Sequence, residues 1–263
     1  MEKEHVIISD IHLEFYPGKS GNELFKKILG DRDYSSYILL ICGDLGYPSK
    51  ANYWEFLKEC NNRFEKTFFI TGNHEYYTLY NDKAPIQAVN ELIALKSLEY
   101  PNIHFLNEAI WEHNGIVYIG CTLWTSILTW EKAQVFLTMA DFQSIYSTQG
   151  KLLTTREVSL MHGKQLVWLL SQLPKGPSDK KYIVMTHHLP TDKLISPDYP
   201  DLGVNSAYYT NLESLFRDYK MDAWVSGHTH KPMEVQLGQC LLKTNPYGYP
   251  GENPNFQIRT LIL

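Results

Sequence analysis

The chain has 263 residues, of which 44% are hydrophobic, and its formal net charge is -5 at pH 7. This composition supports a sizeable core and one large domain. The chain has no long basic run, which argues against nucleic acid as an obligatory partner because phosphate neutralisation needs clustered lysine and arginine. No window approaches the roughly 20 apolar residues of a membrane span, so we expect no membrane partner either.

The cysteines indicate the compartment. Cys42, Cys60, Cys121 and Cys240 are widely spaced and form no CxxC pair. We expect buried free thiols in a reducing compartment. The apolar run near the N-terminus is also shorter than the apolar part of a signal peptide, which is about 7–15 residues. We therefore expect a cytoplasmic protein.

Short apolar runs recur along the chain, and several end in polar side chains that can do chemistry. In chain order these runs are HVIISD (5–10), YILLICGD (37–44), TFFITGNHE (67–75), KYIVMTHH (181–188) and DAWVSGHTH (222–230). Continuous apolar runs of this kind are typical of strands buried on both faces. Because functional side chains collect at the carboxyl ends of strands in open α/β sheets, we expect these run ends to share one site.

Helical patterns separate the runs. Apolar spacing predicts helices over residues 52–64 and 155–173. A third helix is predicted over residues 85–98, whose leading proline suits a first helical turn. Thr210 with Glu213 predicts a capping box ahead of the segment LESLF.

The pattern changes at residues 103–123, where short β-like runs are divided by turn signals. The pair Asn114-Gly115 predicts a hairpin, and two C-terminal stretches also have strand patterns. We therefore expect two sheets with helices outside them. Residues 124–154 lack clear periodicity, and we interpret them as an insertion that could roof a site within a single domain spanning residues 1–263.

Metal-ligand side chains follow the predicted strands. In chain order they are Asp10-Ile11-His12, Gly43-Asp44, Gly72-Asn73-His74-Glu75, Thr186-His187-His188 and Gly227-His228-Thr229-His230. Each motif alone is weak, but all of them in this order make a strong signal. Carboxylate, amide oxygen and imidazole suit divalent metals such as Mn, Fe and Zn, and the set is too large for one tetrahedral zinc ion. Two metal ions that share one carboxylate would use this set economically.

This order of motifs, from Asp10 to His230, resembles the calcineurin-like metallophosphoesterase superfamily. The resemblance implies an α/β fold, a four-layer α/β/β/α sandwich of two mixed β-sheets with the metal site at the C-terminal ends of strands. It also implies two divalent metal ions, and hydrolysis of a phosphomonoester or phosphodiester by a hydroxide that bridges them. The partner would be a small-molecule or other phosphate-ester substrate. The alternative is a non-catalytic, metal-binding interaction scaffold of the same fold.

The resemblance also implies residue roles. The ligands would be Asp10, His12 and His230 for one ion, Asn73, His187 and His228 for the other, and Asp44 between them. His74 would be the histidine that contacts phosphate or protonates the leaving oxygen. Strand alternation lets only one imidazole of the doubled motif face the metals, and the V-x-x-H spacing favours His187 over His188. Asn73, His74 and His188 are the candidate substrate contacts.

Departures from the superfamily's motif pattern narrow the choice among its branches. The segment GDLGYP lacks the arginine that protein serine/threonine phosphatases carry at this motif. Its tyrosine, Tyr47, matches the G-D-x-x-Y of purple acid phosphatases, where the tyrosine is a metal ligand. In this chain His12 can fill that coordination position instead, so we expect Tyr47 to support the site or join the core. The pattern is nearest to the cyclic-nucleotide phosphodiesterase and general phosphohydrolase branches.

Some other residues keep two interpretations. Glu75 would either accept the Nδ1–H of a histidine or cap the turn that follows it. Trp124 would line the substrate rim or join the core. The proline-rich loop over residues 188–211 is long enough to be functional, and its Asn205, Tyr208 and Tyr209 are further candidate substrate contacts.

Overall fold

The computed structural model describes residues 2–77, 83–199 and 203–263. Within these residues, the strands are β1 (Glu4–Ile8), β2 (Ile38–Cys42), β3 (Lys66–Ile70), β4 (Ile103–Phe105), β5 (Ala109–His113), β6 (Ile116–Cys121), β7 (Tyr146–Thr148), β8 (Lys151–Leu152), β9 (Lys181–Thr186), β10 (Ala223–Ser226), β11 (Glu234–Leu237), β12 (Cys240–Thr244) and β13 (Arg259–Ile262). The α-helices are α1 (Gly21–Leu29), α2 (Ala51–Arg63), α3 (Ile86–Ser97), α4 (Lys132–Thr138), α5 (Asp141–Ser144), α6 (Thr155–Gln172) and α7 (Leu215–Asp218).

The strands form two large mixed sheets and one small hairpin. The first sheet has the order β13-β1-β2-β3-β4, in which only β13 runs antiparallel to its neighbour. The second has the order β11-β12-β10-β9-β6-β5, with parallel inner strands and antiparallel outer ones. β7 and β8 form the hairpin. All residues of β2 and β10 are buried, as expected for strands covered on both faces.

The two sheets pack face to face, with helices on both outer faces. Phe68 of the first sheet stacks on Tyr118 of the second with 4.1 Å between ring centroids, inside an apolar cluster built from both sheets. Helices α1, α2 and α3 cover the outer face of the first sheet, and α6 and α7 cover the second. The predicted four-layer α/β/β/α architecture is therefore confirmed.

Most of the predicted local elements are confirmed. The hairpin turn lies at Asn114 and Gly115, whose φ angles of 52° and 76° suit a tight turn between twisted strands. Helices α2, α3 and α6 match the predicted helices closely, although Pro85 lies just before the first turn of α3 rather than in it. All four cysteines are free and buried. Among the described residues, no helix has both the length and the apolar character that crossing a bilayer requires.

The predicted capping box at Thr210 and Glu213 is wrong. Helix α7 begins only at Leu215, and the Glu213 carboxylate instead accepts a hydrogen bond from the Thr191 hydroxyl at 2.7 Å. The Thr210 hydroxyl accepts the backbone N–H of Ser126 at 2.9 Å. Both side chains hold loops together, a use that the local S/T-x-x-E pattern cannot distinguish from a cap.

Residues 124–154 are more regular than their sequence suggested. They contain α4, α5 and the β7–β8 hairpin. These elements have seven, four, three and two residues, too few turns or alternations to produce a periodic pattern. Residues 200–202 of the predicted 188–211 loop lie outside the described residues.

Candidate metal centre

The carboxyl ends of β1, β2, β3, β9 and β10 bring the predicted ligands to one place. The chain leaves these strands sharply, with left-handed backbone at many of the ligand positions. The residues and their φ angles are Asp10 (52°), His12 (52°), Asp44 (53°), His228 (73°) and His230 (48°). Such a conformation costs a non-glycine residue about 1–2 kcal/mol and is typical of functional sites, where the surroundings hold it in place.

Hydrogen bonds between the loops stabilise these strained turns. The backbone N–H of Asp10 donates to the carbonyl of Gly43, and that of His12 donates to the carbonyl of Asp44, each at 3.0 Å. The Asp10 carboxylate also accepts the backbone N–H of His228 at 2.9 and 3.1 Å. Asp10 follows a strand of the first sheet and His228 one of the second, so this carboxylate links the two sheets at the site.

The first cluster of ligand atoms belongs to Asp10, His12 and His230, whose donor atoms lie within 4.8 Å of one another. His12 Nδ1 donates to Glu14 at 3.0 Å, and His230 Nδ1 donates to Glu252 at 2.7 Å. Because carboxylates only accept, these Nδ1 atoms carry the protons. The two Nε2 atoms then lie 3.1 Å apart, and that of His230 also lies 3.5 Å from Asp10 Oδ1. Burial alone would lower the pKa of His230, but the carboxylates of Asp10 and Glu252 outweigh burial and raise it to about 10, so a metal ion would replace a proton among these atoms and this cluster fits such an ion.

The second cluster belongs to Asp44, His187 and His228, again with donor atoms within 4.8 Å. His187 Nδ1 donates to the carbonyl of Cys42 at 2.9 Å, and its Nε2 lies 3.3 Å from Asp44 Oδ2 and 3.1 Å from Asn73 Oδ1. Burial alone would lower the pKa of His187, but the Asp44 carboxylate outweighs burial and raises it to about 9, so a metal ion here would take the place of a proton on Nε2. His228 Nε2 is buried without a hydrogen-bond partner. Acceptor atoms that converge in this way also fit a metal ion.

Asp44 lies between the two clusters. Besides its place in the second cluster, Asp44 belongs to a set with His12 and His74. The ligand atoms of these three residues also lie within 4.8 Å of one another. Burial alone would raise the pKa of Asp44, but the charges of His187, His74 and His12 outweigh burial and hold it well below its usual range. Asp44 is therefore an ionised carboxylate that faces both sets of ligands.

The doubled histidine motif separates into two environments. His187 joins the second cluster, whereas the ring of His188 lies behind His228, 4.5 Å away between centroids. His188 Nδ1 contacts the carbonyl of Thr122 at 3.3 Å. Burial lowers the pKa of His188 to about 3, with a further contribution from His187, so this imidazole is neutral. Burial and His188 likewise hold the pKa of His228 well below its usual value, which keeps it neutral and able to coordinate.

A cleft of about 540 Å³ opens over the clusters, and its wall includes Asp44, Asn73, His74, His228 and His230. Tyr47, Asn205 and Tyr208 also line it, whereas His188 and Trp124 do not. Trp124 is a buried core residue, 2% exposed. The geometry thus brings Asn73 and His74 to the cleft but not His188.

His74 presents one ring nitrogen to the cleft. Its Nδ1 donates to Glu14 at 2.9 Å, its ring stacks on Tyr77 with 4.2 Å between centroids, and its Nε2 lies 3.4 Å from the hydroxyl of Tyr249. Burial alone would lower the pKa of His74, but the carboxylates of Asp44 and Glu14 outweigh it and raise the pKa above its usual value. This ring can therefore carry a proton and offer it to a bound molecule.

Carboxylates that the sequence analysis missed hold the ligands in place. Glu14 is 4% exposed at its side chain, and one of its oxygens accepts the Nδ1–H of both His12 and His74. Glu252 likewise accepts the Nδ1–H of His230. The D-x-H-x-E spacing around Asp10 was a signal for Glu14, because a carboxylate two residues after a ligand can reach its second ring nitrogen.

A third carboxylate comes from the segment 124–154. Asp141 accepts hydrogen bonds from Asn73 Nδ2 at 2.8 Å and from the Tyr77 hydroxyl at 2.5 Å. The first bond orients the Asn73 amide so that its oxygen faces His187. The segment therefore supports a candidate ligand directly.

Glu75 bonds to the backbone and not to a histidine. Its carboxylate accepts the N–H groups of Gly72, Leu45 and Asp44 at 2.7, 2.8 and 3.2 Å. These bonds match neither of its two interpretations, because they go to no histidine and to backbone groups that precede Glu75 and not to the turn that follows it. Glu75 instead ties the loop after β2 to the loop after β3.

We expect Gly72→Ala to damage the centre. A Cβ atom at Gly72 would lie 2.1 Å from Asp44 Oδ1 and 2.7 Å from His187 Nε2, so both side chains would have to move. Overpacking of this kind typically costs about 1–3 kcal/mol, and here it would also displace ligand atoms. The midpoint temperature of thermal unfolding and the metal content would both be measured, and we expect both to be lower than in the wild type.

Gly163→Ala is the matched control. Gly163 lies within α6, and a Cβ atom there would meet nothing within 4 Å. The helix propensity of alanine should stabilise this variant by up to about 1 kcal/mol with metal content unchanged. A Gly72→Ala protein that loads metal as well as Gly163→Ala would contradict the described geometry.

Comparisons with known proteins bear on the family and the fold. The family model for calcineurin-like phosphoesterases matches residues 6–232. The chain is 30% identical to the uncharacterized protein L509 of Acanthamoeba polyphaga mimivirus over 265 aligned positions, which cover 95% of this chain and 92% of L509. Among solved structures, the phosphopantetheinyl hydrolase PptH of Mycobacterium tuberculosis superimposes with a TM-score of 0.69 at 18% identity, covering 99% of this chain and 96% of PptH. The last similarity shows a shared fold.

Proposed function

Since the chain belongs to the calcineurin-like phosphoesterase family, whose members are metal-dependent, we propose that it hydrolyses phosphate esters with two divalent metal ions. The observation that carries this proposal is the convergence of carboxylate oxygens and imidazole nitrogens where the strands of both sheets end. The negative charge of Asp10 and Asp44 raises the pKa of His230 and His187 to about 10 and about 9, and metal ions would replace these protons as the positive charge between the ligands.

The proposed assignment follows the two clusters. One ion would be held by Asp10, His12 and His230, the other by Asn73, His187 and His228, and both by Asp44. Oxygen and imidazole ligands without thiolate suit Mn, Fe or Zn. When bound, the two ions supply charge neutralisation of the ester and activation of the attacking water.

His74 would serve the leaving group. His74 lines the cleft while Glu14 holds its Nδ1, so the ring is fixed in position and its Nε2, beside the Tyr249 hydroxyl, would face a bound ester. A positioned imidazole that carries a proton can donate it to a departing oxygen. Asn73, through the amide that Asp141 orients, would hold both metal and substrate.

We also propose that residues 1–263 form one domain in which residues 124–154 are an insertion that roofs the cleft. Thr138, Met139 and Ala140 of this segment line the cleft, and Asp141 supports Asn73. The buried free thiols agree with the cytoplasmic location expected from the sequence, which stays a prediction.

The proposed function is tested by hydrolysis of bis-p-nitrophenyl phosphate and p-nitrophenyl phosphate. Metal-depleted protein would be assayed alone, with added Mn²⁺, Fe²⁺ or Zn²⁺, and with the metal plus excess chelator. We expect release of nitrophenol only in the metal-loaded samples. No release from either ester by protein shown to contain metal would contradict the proposal and favour a non-catalytic scaffold.

A further inference from the structure

We propose that the cleft selects phosphodiesters with aromatic or apolar ester groups over phosphomonoesters, an inference that rests on the proposed function. A diester has an organic group on each side of phosphorus, whereas a monoester has one such group and a doubly charged end. The walls of the cleft and their charge distinguish these two shapes.

The first wall lies beside the Asp10–His12–His230 cluster. The ring of Tyr249 is 4.5 Å between centroids from the rings of both His12 and His230. Phe15 packs edge-on against Tyr249 at 5.1 Å. Phe15 is 47% exposed and Tyr249 38% exposed, although large apolar rings are usually buried. Exposed rings at the mouth of a cleft are suited to stack with a planar or apolar group of a ligand.

The second wall lies beside the other cluster. Tyr77 stacks on His74, and the ring of Tyr208 lies 4.9 Å between centroids from that of His228. Met139 lies next to Tyr208, with 3.8 Å between its sulfur and the tyrosine hydroxyl. Thioether and aromatic groups adapt well to apolar ligands. Each metal cluster therefore has its own apolar wall, which provides a place for an organic group on either side of a phosphorus atom held between them.

The charge of the cleft disfavours the doubly charged end of a monoester. Among the described residues that line it there is no lysine or arginine; His74 is an imidazole that can carry a proton, and Asp44 and Glu252 are acidic. The sequences of the segments 78–82 and 200–202 contain no lysine or arginine either. A phosphomonoester carries about -1.5 to -2 charges at pH 7, and polyphosphates carry more. A diester carries one negative charge and needs no cationic side chain beyond the metal centre and His74.

Two inert ligands separate these classes without turnover. Diphenylphosphinate has one negative charge and two phenyl groups on phosphorus, and phenylphosphonate has one phenyl group and a doubly ionisable end. Their binding to the metal-loaded protein would be measured by calorimetry at pH 8. We expect diphenylphosphinate to bind at least about tenfold more tightly, the scale of one aromatic contact and one unmatched charge. Equal or tighter binding of phenylphosphonate would overturn the inference.

Phe15→Ala tests the first wall. We expect this variant to weaken the binding of diphenylphosphinate by about tenfold. Phe136→Ala is the matched control, because Phe136 is 46% exposed but does not line the cleft, and we expect it to bind like the wild type. If Phe15→Ala also binds like the wild type, the wall does not select the ligand and the inference is wrong.

Hydrolysis separates a failure of this inference from a failure of the proposed function. We expect kcat/KM for bis-p-nitrophenyl phosphate to exceed that for p-nitrophenyl phosphate by at least about tenfold. Metal-dependent hydrolysis with a preference for the monoester would contradict the inference alone. Selective binding of diphenylphosphinate with no hydrolysis of either ester would support the selectivity and contradict the proposed function.

Discussion

Asp44→Asn is expected to weaken the binding of both metal ions and to abolish most of the activity. The Asp44 carboxylate faces ligands of both clusters, and asparagine would remove its charge while keeping an oxygen that can accept the backbone N–H of His74, now 2.8 Å away. Removing one charged partner from a buried pair costs about 3–5 kcal/mol, or about 10²–10⁴-fold in affinity. Metal content would be measured by elemental analysis after equilibration with a defined concentration of Mn²⁺.

Asp33→Asn is the matched control for this experiment. Asp33 is exposed and its carboxylate also accepts a backbone N–H, that of Ser35 at 2.9 Å. This variant should bind metal and hydrolyse ester like the wild type. An Asp44→Asn protein that still holds two ions with full activity would show that Asp44 does not bridge them.

His74→Asn is expected to separate turnover from metal binding. If His74 donates a proton to the leaving oxygen and binds no metal, kcat should fall by about 10²–10⁴-fold, the usual scale for loss of an acid–base group. Metal content should remain that of the wild type. The loss should be smaller for esters with a good leaving group such as p-nitrophenolate, which needs little protonation, than for alkyl esters.

The control variant is His113→Asn. His113 Nε2 also contacts a glutamate, Glu65, at 2.8 Å. His113 itself lies at the turn end of the β5–β6 hairpin, away from the metal centre. It should keep full turnover. Two results would overturn the role of His74: an unchanged kcat in His74→Asn, or a loss of metal in proportion to the loss of activity.

The strand-end motifs were readable from the sequence because each ligand follows its strand directly. Once β1, β2, β3, β9 and β10 are recognised as buried parallel strands, their carboxyl ends must meet at the edges of two packed sheets. The spacing of Val184 and His187 was also sufficient to favour His187 over His188, and His187 is the imidazole that lies in the second cluster.

Two of the groups that orient the ligands were not readable in the same way. Asp141 lies 68 positions from Asn73, and Glu252 lies 22 positions from His230. Asp141 begins the short helix α5, and Glu252 lies in the loop between β12 and β13. The positions of both depend on tertiary packing and not on local periodicity. The left-handed backbone at Asp10 and Asp44 was hidden as well, because it is stabilised by hydrogen bonds between loops of different strands. The walls of the cleft come from loops too, so the sequence alone could not distinguish a diester site from a monoester site.

Diffraction from metal-loaded crystals, with anomalous data collected above and below the absorption edge of the loaded metal, tests the central claim most directly. We predict two anomalous peaks per chain, one among Asp10, His12 and His230 and one among Asn73, His187 and His228, with Asp44 in contact with both. A single peak, or metal bound only away from these side chains, would contradict the proposed two-metal centre.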